Sequence, residues 1–214
     1  MDSQSASRTR THPSSNSGVN KLMTAVASLE RDAELMLRVR EGDQASFGML
    51  LDRHRGPVIH FLYRMVQNQA VSEELAQEVF LRVYRSRASY EPTAKFTTWL
   101  FRIATHLALN WIRDGKHEKL QTSMDEEGSE SAAGRLQDRG RTVEQELVYQ
   151  AKLMEVRGAI EALPAKQRAA VLMHKYEELE YSQIASVLNC SESAVKSLLF
   201  RAYESLRLKL AHMV

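Results

Sequence analysis

A chain of 214 residues is long enough for one ordinary domain or two small ones. An apolar share of 43% and a charged share of 26% exclude a disordered chain, and no apolar run approaches the roughly 18–20 residues of a membrane span. Lys plus Arg number 29 against 27 Asp plus Glu, a net charge of only +2, so nucleic-acid binding has to rest on local clusters of cations.

Glycine (9) and proline (4) are scarce, and periods near 3.6 recur where no two-residue alternation does, so the fold class is all-α. Residues 1–28, rich in Ser, Thr, Arg and Asn, read as a disordered tail without the apolar core of a secretory leader. From Asp32, DAELMLRVREGD predicts a short helix ending near Gly42. QASFGMLLDRHRGPVIHFLYRMVQN follows, with Phe47, Leu50, Leu51, Val58, Leu62 and Met65 along one stripe. Gly56-Pro57 is expected to kink or break that helix.

In SEELAQEVFLRVYRSR, Ser72 is the expected N-cap, with Glu73 and Glu74 at the positive end of the helix dipole. Leu75, Val79, Phe80 and Val83 supply its buried face. SYEPTAKF is a loop marked by Pro92. TTWLFRIATHLALNWIRD resumes a helix in which Trp99, Ile103, Leu107 and Trp111 share a register, so both tryptophans are expected in the core. The periodicity then collapses into a polar linker, 117–142, acidic at Asp125, Glu126 and Glu127. It returns in VEQELVYQAKLMEVRGAIEALP, stops at Leu163-Pro164, and two to three further helices complete the chain. The organisation is two small helical domains, 29–116 and 143–214, joined by a flexible tether.

The last domain contains SQIASVLNCSESAVKSLLFRA. Ile184, Val187 and Leu188 can face a core, and Ala185 admits a crossing helix. Asn189 tolerates a left-handed backbone, and Ser191 can cap the helix that follows. In that helix Val195, Leu198 or Leu199, Ala202 and Leu206 recur on one side. Ser193, Lys196, Ser197 and Arg201 lie on the other, extended by Arg207 and Lys209. These spacings favour a helix-turn-helix whose second helix enters a major groove, with two antiparallel helices and a solvated face as the alternative.

Cys190, the single cysteine, cannot form an internal disulfide, which suits a reducing cytoplasm. It reads as a small side chain tucked into the turn, with no neighbouring His or Cys for a metal or dithiol site. No HExxH, P-loop or dinucleotide fingerprint is present and the seven histidines are scattered, so an enzyme is not expected.

Two blocks resemble the extracytoplasmic-function class of bacterial sigma factors, the small members of the sigma-70 family that keep only its second and fourth regions. ALPAKQRAAVLMHKYEELEYSQIASVLNCSESAVKSLLFRAYESLR is similar to the fourth region in its LP..QR opening, IA..L helix and VKS...RA recognition helix. SEELAQEVFLRVYR followed by KFTTWLFRIATHLALNWIRD is similar to the second.

The resemblance implies an alternative sigma factor that binds core RNA polymerase, at the β′ clamp helices and β flap, and directs it to particular promoters. Glu74, Gln77 and Glu78 would meet the clamp; as residues alone they favour a solvated face stabilised by spaced charges such as Glu78 and Arg82, and the resemblance reverses that preference. Lys95, Phe96, Thr97, Thr98, Arg102, His106, Asn110 and Arg113 would recognise and melt the minus-ten element. Ser191, Ser193, Lys196, Ser197 and Arg201 would contact the minus-thirty-five element. The linker would run through polymerase, its acidic residues mimicking nucleic acid.

An anti-sigma factor is a further implied partner. No cofactor, metal, catalytic residue, small-molecule substrate or membrane insertion is implied, because polymerase performs the chemistry. The sequence departs from the family where Gln183 replaces a frequent Glu, and where Ser193, Ala194 and Leu198 replace a frequent Gly-Thr and Arg. The bases of a known promoter therefore do not transfer. A conventional helix-turn-helix regulator, binding DNA without polymerase, is the alternative reading.

Overall fold

Each regular element of the computed structural model is helical among the residues it describes, 31–121 and 143–213. The tail 1–28, the tether from 122 onward and the acidic run 125–127 lie outside these residues. Helix α1 covers 31–40 and ends where Gly42 takes φ 100°, with the Asp43 amide donating to the Arg38 carbonyl at 3.0 Å. That bond closes the helix end, and the positive φ favours glycine. Asp43 then caps α2 (Gln44–Val66), accepting from the Ser46 hydroxyl at 2.7 Å and from the amides of Ala45 and Ser46. The bond from the Ser46 side chain is the main reason its carboxyl sits below the usual range.

Helix α2 continues through Gly56-Pro57, contrary to the expected break. Arg53, Gly56 and Pro57 all lie on the exposed side, where the carbonyl that loses its amide partner meets water. The opposite side buries Leu50, Val58, Phe61, Leu62 and Met65, and their packing holds the helix together.

Ser72 is also not the cap expected of it. Asn68 accepts from the Val71 amide at 3.0 Å and starts α3 (Gln69–Arg85) earlier. Ser72 is buried in the first turn, its hydroxyl donating to the Gln69 carbonyl at 2.7 Å. A short 3-10 turn, Arg87–Ser89, leads through the Pro92 loop into α4 (Phe96–Gln121), which runs on past residue 116. Beyond lie α5 (Val143–Glu161), α6 (Ala165–Lys175), α7 (Tyr181–Leu188) and α8 (Glu192–Lys209), with a closing 3-10 turn, Ala211–Met213. No described helix is long and apolar enough to cross a membrane.

Helices α2, α3 and α4 pack on one another, as do α6, α7 and α8. The two groups also share one continuous apolar core, because α4 lies against α7 and α6. Trp99 is half-buried against Tyr90 and Phe96, at ring distances of 5.0 and 5.9 Å. Trp111 is not in the core: it is 39% exposed, since Leu107 and Ala108 are the last buried residues described in α4 and the helix then outruns its neighbours.

Specific bonds line the seam between the groups. Arg168 donates to the carbonyl of Met65 in α2, and to those of Glu161 and Leu163 behind α5. The Arg64 guanidinium stacks 4.1 Å above the Tyr176 ring. Gln183 in α7 donates to the Thr98 hydroxyl in α4 at 3.0 Å.

Beside Tyr176, burial pushes the Glu177 carboxyl up to about 7 from its ordinary 4.5, and nearby Arg64 only partly offsets this. The folded protein therefore holds this proton more tightly than the unfolded chain does. The contribution is fully present below pH 4.5 and is lost as pH rises through about 7. Glu177→Gln is expected to remove this component. The variant's melting temperature, read by circular dichroism, should exceed that of the parent by a few degrees at pH 8 and show no excess at pH 4.5.

Candidate nucleic-acid interface

The turn between α7 and α8 is built by local rules. Asn189 takes φ 51°, and the Cys190 amide reaches back to the Ala185 carbonyl at 3.0 Å, closing α7. The Ser191 hydroxyl accepts from the Ala194 amide at 3.2 Å and caps α8. Cys190 is partly buried and packs against the core. Val195, Leu199 and Ala202 are buried, with Leu198 and Leu206 at the margin.

The other side of α8 presents Ser193, Lys196, Ser197 and Arg201 to solvent, with Ser191 at its start. Neither Lys196 nor Arg201 is held in an ion pair among the described residues, so both cations are available to phosphate. The Ser197 hydroxyl donates to the Ser193 carbonyl at 3.0 Å, which leaves its lone pairs outward as acceptors. Phe200, absent from the expected set, projects from this same face.

On α4 the expected residues divide. Arg102, His106, Asn110 and Arg113 form an exposed strip, with Lys95 exposed just before the helix and Thr97 half-buried. Phe96 and Thr98 do not join it. Phe96 is fully buried, its ring 5.3 Å from His54 and in contact with Tyr90 and Trp99, so it cannot stack on a base. Thr98 is 4% exposed and bonded to Gln183. The helix is covered on two sides, by α2 and α3 and by α6 and α7, and only the strip between remains open.

A buried polar cluster braces the start of α4. Asp32, from α1, accepts from Arg53 and, at 2.9 Å, pairs with His54 Nε2, and His54 in turn lies against Phe96. The Arg40 guanidinium holds the Tyr90 carbonyl at 3.3 Å at the head of the loop that presents Lys95. Burial, reinforced by the Asp32 charge, raises the Tyr90 phenol above its ordinary value. Fixing the rings of Tyr90, Phe96 and Trp99 thus fixes where Lys95 and Thr97 stand.

On α3, Glu74 and Gln77 are exposed, and Glu78 binds Arg82 at 2.7 Å. Leu81, four residues after Gln77, is 49% exposed on the same face and was not among the expected residues. Its signal in the sequence was an apolar side chain out of register with Val79, Phe80 and Val83.

Comparison with known proteins places both faces in family regions. The family model described as Sigma-70 region 2 matches residues 50–118, and that described as Sigma-70, region 4 matches residues 153–206. The RNA polymerase sigma factor CarQ of Myxococcus xanthus is 33% identical over 172 residues, 80% of this chain and 93% of the relative. The ECF RNA polymerase sigma factor SigW of Bacillus subtilis is 30% identical over 184 residues, 81% of this chain and 93% of the relative. Among solved structures, CnrH in complex with the cytosolic domain of CnrY aligns with a TM-score of 0.63 at 19% identity, covering 85% of this chain and 98% of that one. The sigma factor RpoE of Bartonella quintana, in complex with the anti-sigma factor NepR, aligns with a TM-score of 0.61 at 21% identity, covering 77% and 96%. These two likenesses are likenesses of fold.

The two classes of α4 residue separate in a stability measurement. Phe96→Ala is expected to lower the unfolding free energy by about 3–5 kcal/mol, as for other buried phenylalanines. Arg102→Ala should leave it within about 0.5 kcal/mol. Urea unfolding followed by circular dichroism distinguishes them; equal effects would contradict the division.

Proposed function

We propose, for a chain that belongs to the sigma-70 family and within it to the extracytoplasmic-function sigma factors, a division of labour among its three exposed faces. The protein is an alternative sigma factor: it binds core RNA polymerase and directs promoter-specific initiation. The observation that carries the proposal is the presence, on separate helices, of two solvent-facing sets of Lys and Arg, each beside hydroxyl or amide side chains.

The α8 face enters the major groove of the minus-thirty-five element. Lys196 and Arg201 hold phosphates or guanine edges, Ser193 and Ser197 reach base edges, and Ser191 sets the helix start. The α4 strip takes the minus-ten element. Lys95, Arg102 and Arg113 attract the strand backbone, while His106, Asn110 and Thr97 reach bases as they leave the stack. Phe96 acts only by shaping this surface. Thr98 becomes a contact only where α7 no longer covers it.

The α3 face of Glu74, Gln77 and Glu78, completed by Leu81, docks on the β′ clamp helices, and the C-terminal domain, 143–214, docks on the β flap. Polymerase performs the chemistry, so the sigma factor contributes binding energy to strand separation and no catalytic group. An anti-sigma factor is the controlling partner we assign, on the support of the fold's occurrence in RpoE bound to NepR. The cytoplasm, where polymerase resides, is the assigned location.

In vitro transcription with core polymerase tests the reading. Lys196→Ala or Arg201→Ala should weaken promoter binding about three- to tenfold and lower the slope of log affinity against log salt by about one. Arg102→Ala should slow strand opening, read by permanganate reactivity of unpaired thymines, without changing core binding. Glu74→Lys should weaken core binding. A protein that shifts duplex DNA alone, unaffected by core enzyme, would instead be the conventional helix-turn-helix regulator.

A further inference from the structure

The connection from α6 to α7, residues 176–180, is pressed against α2 and held there under strain. Tyr176 lies beneath the Arg64 guanidinium of α2 at 4.1 Å. Glu178 takes φ 52°, a left-handed backbone that a residue with a Cβ adopts only where its surroundings impose it. Between them Glu177 is partly buried beside Arg64. The connection also stands between two other fastenings of the seam, Arg168 on the Met65 carbonyl and Gln183 on Thr98. Thr105 of α4 is fully buried there, its hydroxyl 3.9 Å from the Met173 sulfur of α6.

The charges around Glu177 are few. From α2, Arg64 is the cation that acts on it. From α4, the seam receives the neutral hydroxyls of Thr98 and Thr105. His174 is turned to the Leu179 carbonyl at 3.4 Å and the Tyr181 ring at 5.3 Å. Lys175 lies over the Tyr203 ring of α8 at 5.9 Å, and Glu178 and Glu180 are exposed. A neutral carboxyl is buried here at little cost, whereas a carboxylate gives up its hydration for a single cation already stacked on a ring.

We propose that this connection is a proton-operated clasp between the two halves of the chain: with the Glu177 carboxyl neutral it seats α6 and α7 on α2 and α4, and release of the proton favours the parted arrangement, which bares the flank of α4. Parting the seam returns the carboxylate to water, where its ordinary value is 4.5, while the closed seam holds the proton up to about 7. The closed form thus binds the proton more tightly, and the open-to-closed ratio rises with pH. From these two values the rise is about tenfold between pH 6 and pH 8, with little further change above pH 8.

Thiol reactivity in the full chain reads this opening. In a Cys190→Ser background, Thr105→Cys sets a thiol beneath α6, and Ala76→Cys sets one in α3, which is packed on α2 and α4. Each rate of labelling by iodoacetamide is divided by that of the same chain in urea at the same pH, which removes the titration of the thiol itself. The normalised rate for Thr105→Cys should exceed that for Ala76→Cys and rise about tenfold from pH 6 to pH 8. Adding Glu177→Gln should hold it at the low value across this range, whereas Glu178→Gln at the exposed neighbour should leave the rise intact.

A rate for Thr105→Cys that does not change with pH would overturn the proposal, as would a rise that survives Glu177→Gln. Equal normalised rates at the two positions would mean that the seam opens only when the whole chain unfolds, and would overturn it too. Neither polymerase nor DNA enters this measurement, so the sigma factor reading stands or falls separately, in the transcription assay.

Discussion

The guanidinium of Arg168 joins helix ends that come from opposite halves of the chain. The last carbonyls of a helix have no partner within it, and they form the negative end of its dipole. Arg168 carries several N–H donors in a fixed fork and satisfies two such carbonyls at once, Met65 near the end of α2 and Glu161 at the close of α5, together with that of Leu163 in the connection to α6. A lysine, with a single point of charge, could not span them in the same way. Because Arg168 belongs to the first turn of α6, this one side chain fixes where α6 starts, and with it the path of α7 and α8. The arginine of the LP..QR motif thus has a structural reason of its own.

Around that anchor, the two nucleic-acid faces are kept open by different means. α8 needs only one buried side, so its outer half is free once Ser191 and Asn189 have set its start and angle. α4 is covered on both flanks, and its strip stays open because Arg102, His106, Asn110 and Arg113 follow the one line that neither flank reaches. A net charge near zero is compatible with both faces. The cations that matter are concentrated by helix geometry, not by composition.

Local physics made much of this legible in the sequence. The left-handed Asn189, the Ser191 cap, the Glu78–Arg82 pair and the buried register of α8 follow from neighbours within one or two turns. What the sequence concealed was non-local or relative. Ser72 is a good cap, but Asn68 four residues earlier is equally suited and starts the helix first. Pro57 breaks a helix unless the orphaned carbonyl faces water, which depends on which side the rest of the fold covers. Trp111 shares a register with Leu107, yet α4 by then has no neighbour to bury it. Phe96 and Thr98 lie in a stretch that reads as exposed until His54 and Gln183 are brought against it from distant parts of the chain. Leu81 and Phe200 escaped notice because an apolar residue on a polar face is visible only after the face is known.

The Gln183–Thr98 bond has a thermodynamic corollary. A surface covered by one ligand is closed to another, and here α7 acts as a tethered competitor for the flank of α4. Any partner that must touch Thr98 binds only the fraction of molecules in which that flank is bare, so its apparent affinity falls in proportion to that fraction. A packed-to-bare ratio of about 100 would weaken such binding about a hundredfold with no contact to the partner altered. By reciprocity, whatever bares that flank strengthens the binding of a partner that needs Thr98 by the same factor. The occupancy of this seam therefore sets the scale on which an affinity that depends on Thr98 is to be read.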